Sequence, residues 1–258
     1  MRRRIARPAR IDFAALSLTE LRCMSEAGRE IRECYRVLAK TDDNIVGEVL
    51  RDQGVFREWD HCPENDVFDA VTHSQFYYHA HPVGGRPWAE HGHFHTFLRP
   101  GGMPPGVKPA DVPPPADPPA SDREDKTEPA NSPGLCHLVA ISMHPAGLPI
   151  RLFTTNRWVT GETWYGAADV WAMLDYFVID HTRPSWALNR WISAMFRLFK
   201  PQIVELVRAR DRTIAAWRSK TSGPASVYDD RSLEVTSAVA IDIDRQIQKI
   251  DIALARLG

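Results

Sequence analysis

The sequence predicts an α+β fold, a small antiparallel β-sheet built from two hairpins and packed against N- and C-terminal helices. Three observations carry this reading. Apolar residues recur at helical spacing towards both ends of the chain, they alternate in the middle, and the alternating runs are joined by Pro- and Gly-containing turns.

Ser17, followed three residues later by Glu20, makes a capping box, and Leu21, Met24, Ile31, Tyr35 and Leu38 continue at helical intervals, so the first helix should run to about Lys40. A shorter amphipathic helix follows Asp42 and stops at Gly54, a residue type that accepts the left-handed turn at a helix end. From Val67 the pattern changes to alternation. SQFYYHAH and EHGHFHTFLR, separated by PVGGRPW, read as one hairpin; LCHLVAISM and PIRLFTT, joined by HPAGL, read as a second.

The C-terminal half returns to helical periodicity, first near Ala167 to Ile179 and then in a helix with Pro184 in its first turn and a stripe of Leu188, Trp191, Met195 and Leu198. Pro201 must kink or break that helix, after which Ile203, Val207, Ile214 and Trp217 continue the apolar face as far as Ser219. A final helix carries Ile243, Ile247, Ile250, Leu254 and Leu257, a seam suited to packing on the domain or on a second copy of the chain as a homodimer.

Residues 100–133 contain eleven Pro and no aromatic residue and include the charged run DREDK, a composition that buries too little apolar surface to order itself. Strand-like segments flank this stretch on both sides. It therefore reads as a flexible insertion in a single domain spanning 17–258, preceded by a basic arm over 1–16 with five Arg in the first ten residues.

A net charge of −1 gives no field for holding a polyanion, so nucleic acid is not expected as a partner. No stretch approaches the roughly 20 apolar residues of a membrane span. Cys23, Cys34, Cys62 and Cys136 are scattered without C-x-x-C spacing, which excludes a thiolate zinc site and a disulfide framework and fits a reducing cytoplasm.

The chemistry is concentrated in the first hairpin, where His79, His81, His91, His93 and His95 fall within seventeen residues although the whole chain has ten histidines. Side chains two apart on a strand share a face, so His79 points with His81, and His91 with His93 and His95. Register decides which of them meet. One register places Glu90 with His79 and His81, a two-histidine, one-carboxylate set typical of non-haem iron. The other gathers all five imidazoles with Tyr77 nearby, and it is the one that buries Phe76, Tyr78 and Ala80 together with Phe94 and Leu98. A bulge at Gly92 would bring Glu90 back to the site. An H-x-H pair on one strand with a third histidine on the next resembles the metal sites of carbonic anhydrases and cupins, but Glu90 comes nine residues after His81, later than the cupin glutamate.

The runs YYHAH and EHGHFHTF, with LFTTNRWVTGETWY at residues 152–165, resemble a bacterial domain-of-unknown-function family over most of the chain. The resemblance implies no activity. Within the third of those runs, Asn156, Arg157, Trp158 and Trp164 form a candidate wall for a small-molecule substrate, and Glu162 joins Glu90 and Tyr77 as a candidate catalytic group. The expectation is a mononuclear metalloenzyme holding iron, copper or zinc, with iron or copper oxidoreduction ahead of a zinc-dependent hydrolase or lyase and of a non-catalytic metal carrier or sensor. His137 is expected as a hydrogen-bonded core residue, and His61 as structural.

Overall fold

The computed structural model describes residues 5–54, 57–81, 90–115, 134–218 and 226–257. Six antiparallel strands form one sheet whose spatial order equals chain order: β1 (Cys62–Phe68), β2 (Ser74–Ala80), β3 (Gly92–Leu98), β4 (Cys136–Met143), β5 (Pro149–Thr155) and β6 (Val235–Ala240). Strands β2 and β3 are the first expected hairpin, and β4 and β5 the second. The expected turn PVGGRPW lies outside the described residues. Strands β1 and β6 extend the sheet at its two edges. Neither has a strong strand pattern: β1 contains Pro63, Asn65 and Asp66, residue types that sheets disfavour, and β6 is short and half-buried.

The capping box at Ser17 and Glu20 is present, and it opens α1 (Leu18–Leu38). The second helix, α2 (Ile45–Leu50), is capped by the Asn44 side chain on two backbone N–H groups. A single turn, α3 (Arg157–Thr160), follows β5, and α4 (Ala167–Met173) gives way to a 3-10 turn over Leu174–Tyr176, so this helix stops short of Ile179. Pro184 precedes the Ser185 cap of α5 (Trp186–Leu198) and so sits just before that helix. The break expected at Pro201 falls at Phe199, and Pro201 occupies the first turn of α6 (Lys200–Arg218), where its missing N–H has no partner to lose.

One face of the sheet meets the helices. Phe76, Tyr78, Phe94, Leu98, Val139, Ile141 and Leu152 share a core with Leu21, Met24 and Ile31 of α1 and Trp191 and Met195 of α5. Trp191 is fully buried and donates its indole N–H to the Tyr35 hydroxyl at 3.0 Å. The last helix, α7 (Ile243–Ala255), turns Ile247 and Ile250 into the same core, so its seam faces this chain's own α1, where Ile247 lies against Gly28. Among the described residues no helix is long and apolar enough to cross a membrane.

Residues 100–115, the start of the expected Pro-rich insertion, run across the molecule with Met103 and Val107 against the main core, Ala110 and Val112 against a smaller cluster around Trp164, and Pro109 bridged to Tyr165. Residues 116–133 lie outside the described residues. In the N-terminal arm, Ile5 packs on the same smaller cluster and the Ala6 N–H donates to Thr213 of α6.

Gly92 opens β3 where strand β2 crowds against it. A Cβ there would fall 2.5 Å from the His79 carbonyl oxygen and 2.6 Å from the Tyr78 hydroxyl. Gly92→Ala is therefore expected to destabilise the fold by about 1–3 kcal/mol, as overpacking does, read as a lower urea midpoint. An unchanged midpoint would mean that the strands have room to part.

Candidate metal centre

The face of the sheet turned away from α1 and α5 carries the histidines. In the β2–β3 register His79 stands opposite His93, Tyr77 opposite His95 and Tyr78 opposite Phe94. This is the register that buries Phe76, Tyr78, Phe94 and Leu98 together on the helical side, and it leaves His79, His93 and His95 on the other side.

Three ring nitrogens meet there. His79 Nε2 lies 2.8 Å from His93 Nε2, which lies 3.0 Å from His95 Nε2. His93 Nδ1 is 2.8 Å from Glu90 Oε1, and Ser142 donates its hydroxyl to Glu90 Oε2. With the Nδ1 proton donated to that carboxylate, His93 Nε2 presents one lone pair to two other Nε2 atoms, an arrangement that hydrogen bonds satisfy poorly. A cation between the three nitrogens accepts all three lone pairs. For metal–nitrogen bonds of about 2.1 Å, the N–N separation is about 3.0 Å at a right angle and about 3.4 Å at the tetrahedral angle. The two edges, 2.8 and 3.0 Å, lie nearer the first value than the second.

His95 and His137 form a second layer. His95 Nδ1 lies 3.0 Å from His137 Nε2, and His137 Nδ1 lies 3.4 Å from Thr155 Oγ1. Burial, with the neighbouring imidazoles adding to it, holds His95 well below the usual histidine range, and burial pushes His137 down to about 3. Both rings are neutral at physiological pH, the form that ligates metals. His137 thus has the hydrogen-bonded place expected of it, directly behind a candidate ligand. That adjacency depends on the irregular β3–β4 pairing that sets Phe97 opposite His137.

The remaining site candidates divide. His81 and Glu90 join His93 in a second group of donor atoms within 4.8 Å of one another, beside the group of His79, His93 and His95. Glu90 arrives without a bulge in the β2–β3 ladder: Gly92 pairs regularly with Ala80 and Met143, and the chain bends at His91 instead. That bend turns His91 towards the helical side, where its Nδ1 lies 2.7 Å from the Tyr78 hydroxyl, so the structure does not bring it to the other four imidazoles. Tyr77 borders the centre, its ring 5.6 Å from His79 and 5.1 Å from His95. His61 stacks on Tyr77 at 3.5 Å and accepts a place beside the site, with Asp66 2.9 Å from its Nδ1. Phe153 closes the other flank against His93 and His95, and between them Ala140, in register with His95 and Phe153, leaves a low step in the floor. His93 and His95 are fully buried whereas His79 is partly exposed, so the centre opens on the His79 side.

The expected substrate wall is engaged in structural contacts. Asn156 caps α3 and donates to the Val227 carbonyl, Arg157 forks both oxygens of Asp229 at 2.9 Å and reaches the Pro113 carbonyl, and Trp158 donates to the Leu233 carbonyl. Trp164 packs with Ile214, Trp217 and Tyr228 and lines a cleft of about 460 Å³ that also includes Asp211 and Arg218. Glu162 is buried, accepts the His137 backbone N–H at 2.8 Å, and has its carboxyl pushed up to about 8, chiefly by burial. At neutral pH it is mostly a neutral acid, a proton donor rather than an acceptor.

The sequence profile of a family described as a domain of unknown function (DUF6969) matches residues 25–241. No curated protein and no solved structure matches the chain.

Proposed function

The chain belongs to the DUF6969 family, and from that starting point we propose that it is a mononuclear metalloenzyme in which His79, His93 and His95 hold a redox-active transition metal, iron or copper, for work on a small molecule. The observation that carries this reading is the convergence of three imidazoles, His93 Nε2 lying 2.8 Å from His79 Nε2 and 3.0 Å from His95 Nε2, with one donor atom of each within 4.8 Å of the others. Three neutral nitrogens gathered on one side of an ion leave its other positions to water, dioxygen or substrate.

The rest of the centre fits that role. Glu90 fixes the ring of His93 through Nδ1, and His137 does the same for His95, the supports that metal-bound histidines ordinarily have. Tyr77, whose ring lies beside the partly exposed His79, and Phe153, against His93, border the nitrogens with aromatic surface. Four free cysteines suit a reducing cytoplasm.

Elemental analysis of the full chain, expressed without a His-tag, tests the reading, followed by absorption and electron paramagnetic resonance spectra with and without azide. Iron or copper at one equivalent or more, with a spectrum that azide shifts, is the expected result, because azide takes an open coordination position. Zinc alone in the isolated protein would replace redox chemistry with zinc–water chemistry. A redox metal whose spectrum azide leaves unchanged indicates a closed carrier site. Failure to retain iron, copper or zinc after loading would end the metal reading.

A further inference from the structure

His93 has a candidate ligand group at each end of its ring, and at one end that group is a carboxylate. Its Nε2 faces His79 and His95, and its Nδ1 faces Glu90 Oε1 at 2.8 Å, close to the right-angle spacing of two ligands on one ion. His81 completes the second set: its ring lies 4.9 Å from that of His93, tilted by 22°, and its donor nitrogen is within 4.8 Å of both the Glu90 oxygen and the His93 nitrogen.

Resting on the three-histidine site above and extending it from one ion to two, we infer that the centre takes a second divalent transition-metal ion, held by His81, Glu90 and Nδ1 of His93, with Glu90 passing from support of His93 to ligand and the His93 ring as an imidazolate bridge between the two ions.

Two independent features hold His81 and Glu90 in place for this. The Ser142 hydroxyl fixes the Glu90 oxygen that does not face His93. The Trp59 ring stands edge-on against His81 at 4.3 Å and 87°, and the Trp59 N–H is bonded to the carbonyl of Ala80, the residue just before His81. Trp59 makes this contact with a φ of 73°, in the left-handed region where a bulky residue is strained, and with its own side chain 60% exposed. A tryptophan kept in solvent on a strained backbone gains little by burial, and what it does gain is a fixed orientation for His81.

The binding step is balanced by one proton. The second ion forms bonds to His93 Nδ1, Glu90 and His81, and the Nδ1 proton formerly shared with Glu90 leaves to solvent as the bridge forms. The ions then sit about 6 Å apart, two metal–nitrogen bonds plus the width of the ring.

The test uses the full chain, stripped with a chelator and loaded with copper(II) alone, with bound copper counted after desalting and its paramagnetic resonance recorded. Two equivalents in the wild type are expected, with the signal strongly reduced by coupling through the bridge. In His81→Ala one equivalent is expected, with the full signal of a single copper; circular dichroism should be unchanged, since His81 is partly exposed. One equivalent in both proteins would overturn the second ion while leaving the three-histidine site standing. Two equivalents with full, uncoupled signal would place the second ion elsewhere and overturn the bridge. No tightly bound copper in either protein would remove the underlying metal reading itself.

Discussion

His93→Ala is expected to abolish metal retention, while His91→Ala keeps it and His137→Ala weakens it by about 10- to 100-fold, the usual effect of losing a supporting group. His93 is the corner of the three-nitrogen set, 2.8 Å from one partner and 3.0 Å from the other, and removing it leaves only two of the three imidazoles. His91 belongs to the same dense run of sequence, yet its Nδ1 is beside the Tyr78 hydroxyl on the helical side. Competition of the loaded proteins against a colorimetric chelator measures the three variants, with circular dichroism to verify that each is folded. Equal loss in His91→Ala and His93→Ala would mean that the run binds metal as a loose polyhistidine rather than as a built site.

The second large effect concerns stability. Glu162 has one carboxyl oxygen on the His137 N–H, while the other has no hydrogen-bond partner among the described residues, and burial raises its pKa from 4.5 to about 8. A carboxyl whose folded value lies above its unfolded one binds more protons folded than unfolded. Its contribution is therefore full below about pH 4.5 and is lost as pH rises towards 8, at up to about 1.4 kcal/mol per pH unit. Relative to the Glu162→Gln variant, the wild type is expected to lose about 3 kcal/mol between pH 5 and pH 8. Urea titrations of both proteins at the two pH values measure this, and parallel pH trends would show that Glu162 is solvated or paired in the fold.

The candidate site was legible to the extent that it obeys strand parity. Phe76, Tyr78, Phe94 and Leu98 have to share a face, and that requirement alone sets His79 opposite His93. Parity fails at His91, because the chain bends there before the strand begins, and a bend has no two-residue period to read. The same bend carries Glu90 to Nδ1 of His93, so the carboxylate, which one reading of the register set apart from the imidazoles of the second strand, stands beside one of them. His137 and Thr155 reach the site from β4 and β5, across pairings with shifted register, and no local pattern encodes such an approach. The run from Asn156 to Trp164 has the composition of a pocket, but three of its side chains tie neighbouring loops together: Asn156 bonds Val227, Arg157 bonds Asp229 and Pro113, and Trp158 bonds Leu233. Polar residues among aromatics look the same in sequence whether they await a ligand or tie loops together.

Strand β1 has one more consequence. Its ladder to β2 is interrupted between Cys62 and Val67, Pro63 has no N–H to offer, Glu64 and Asn65 project into solvent, and Asp66 adopts a φ of 57°. An outermost strand so broken presents no continuous row of amide donors and acceptors for a foreign strand to zip onto. The irregularity beside the histidines thus also guards the protein against edge-to-edge aggregation, and straightening it would leave the whole sheet open to extension by other chains.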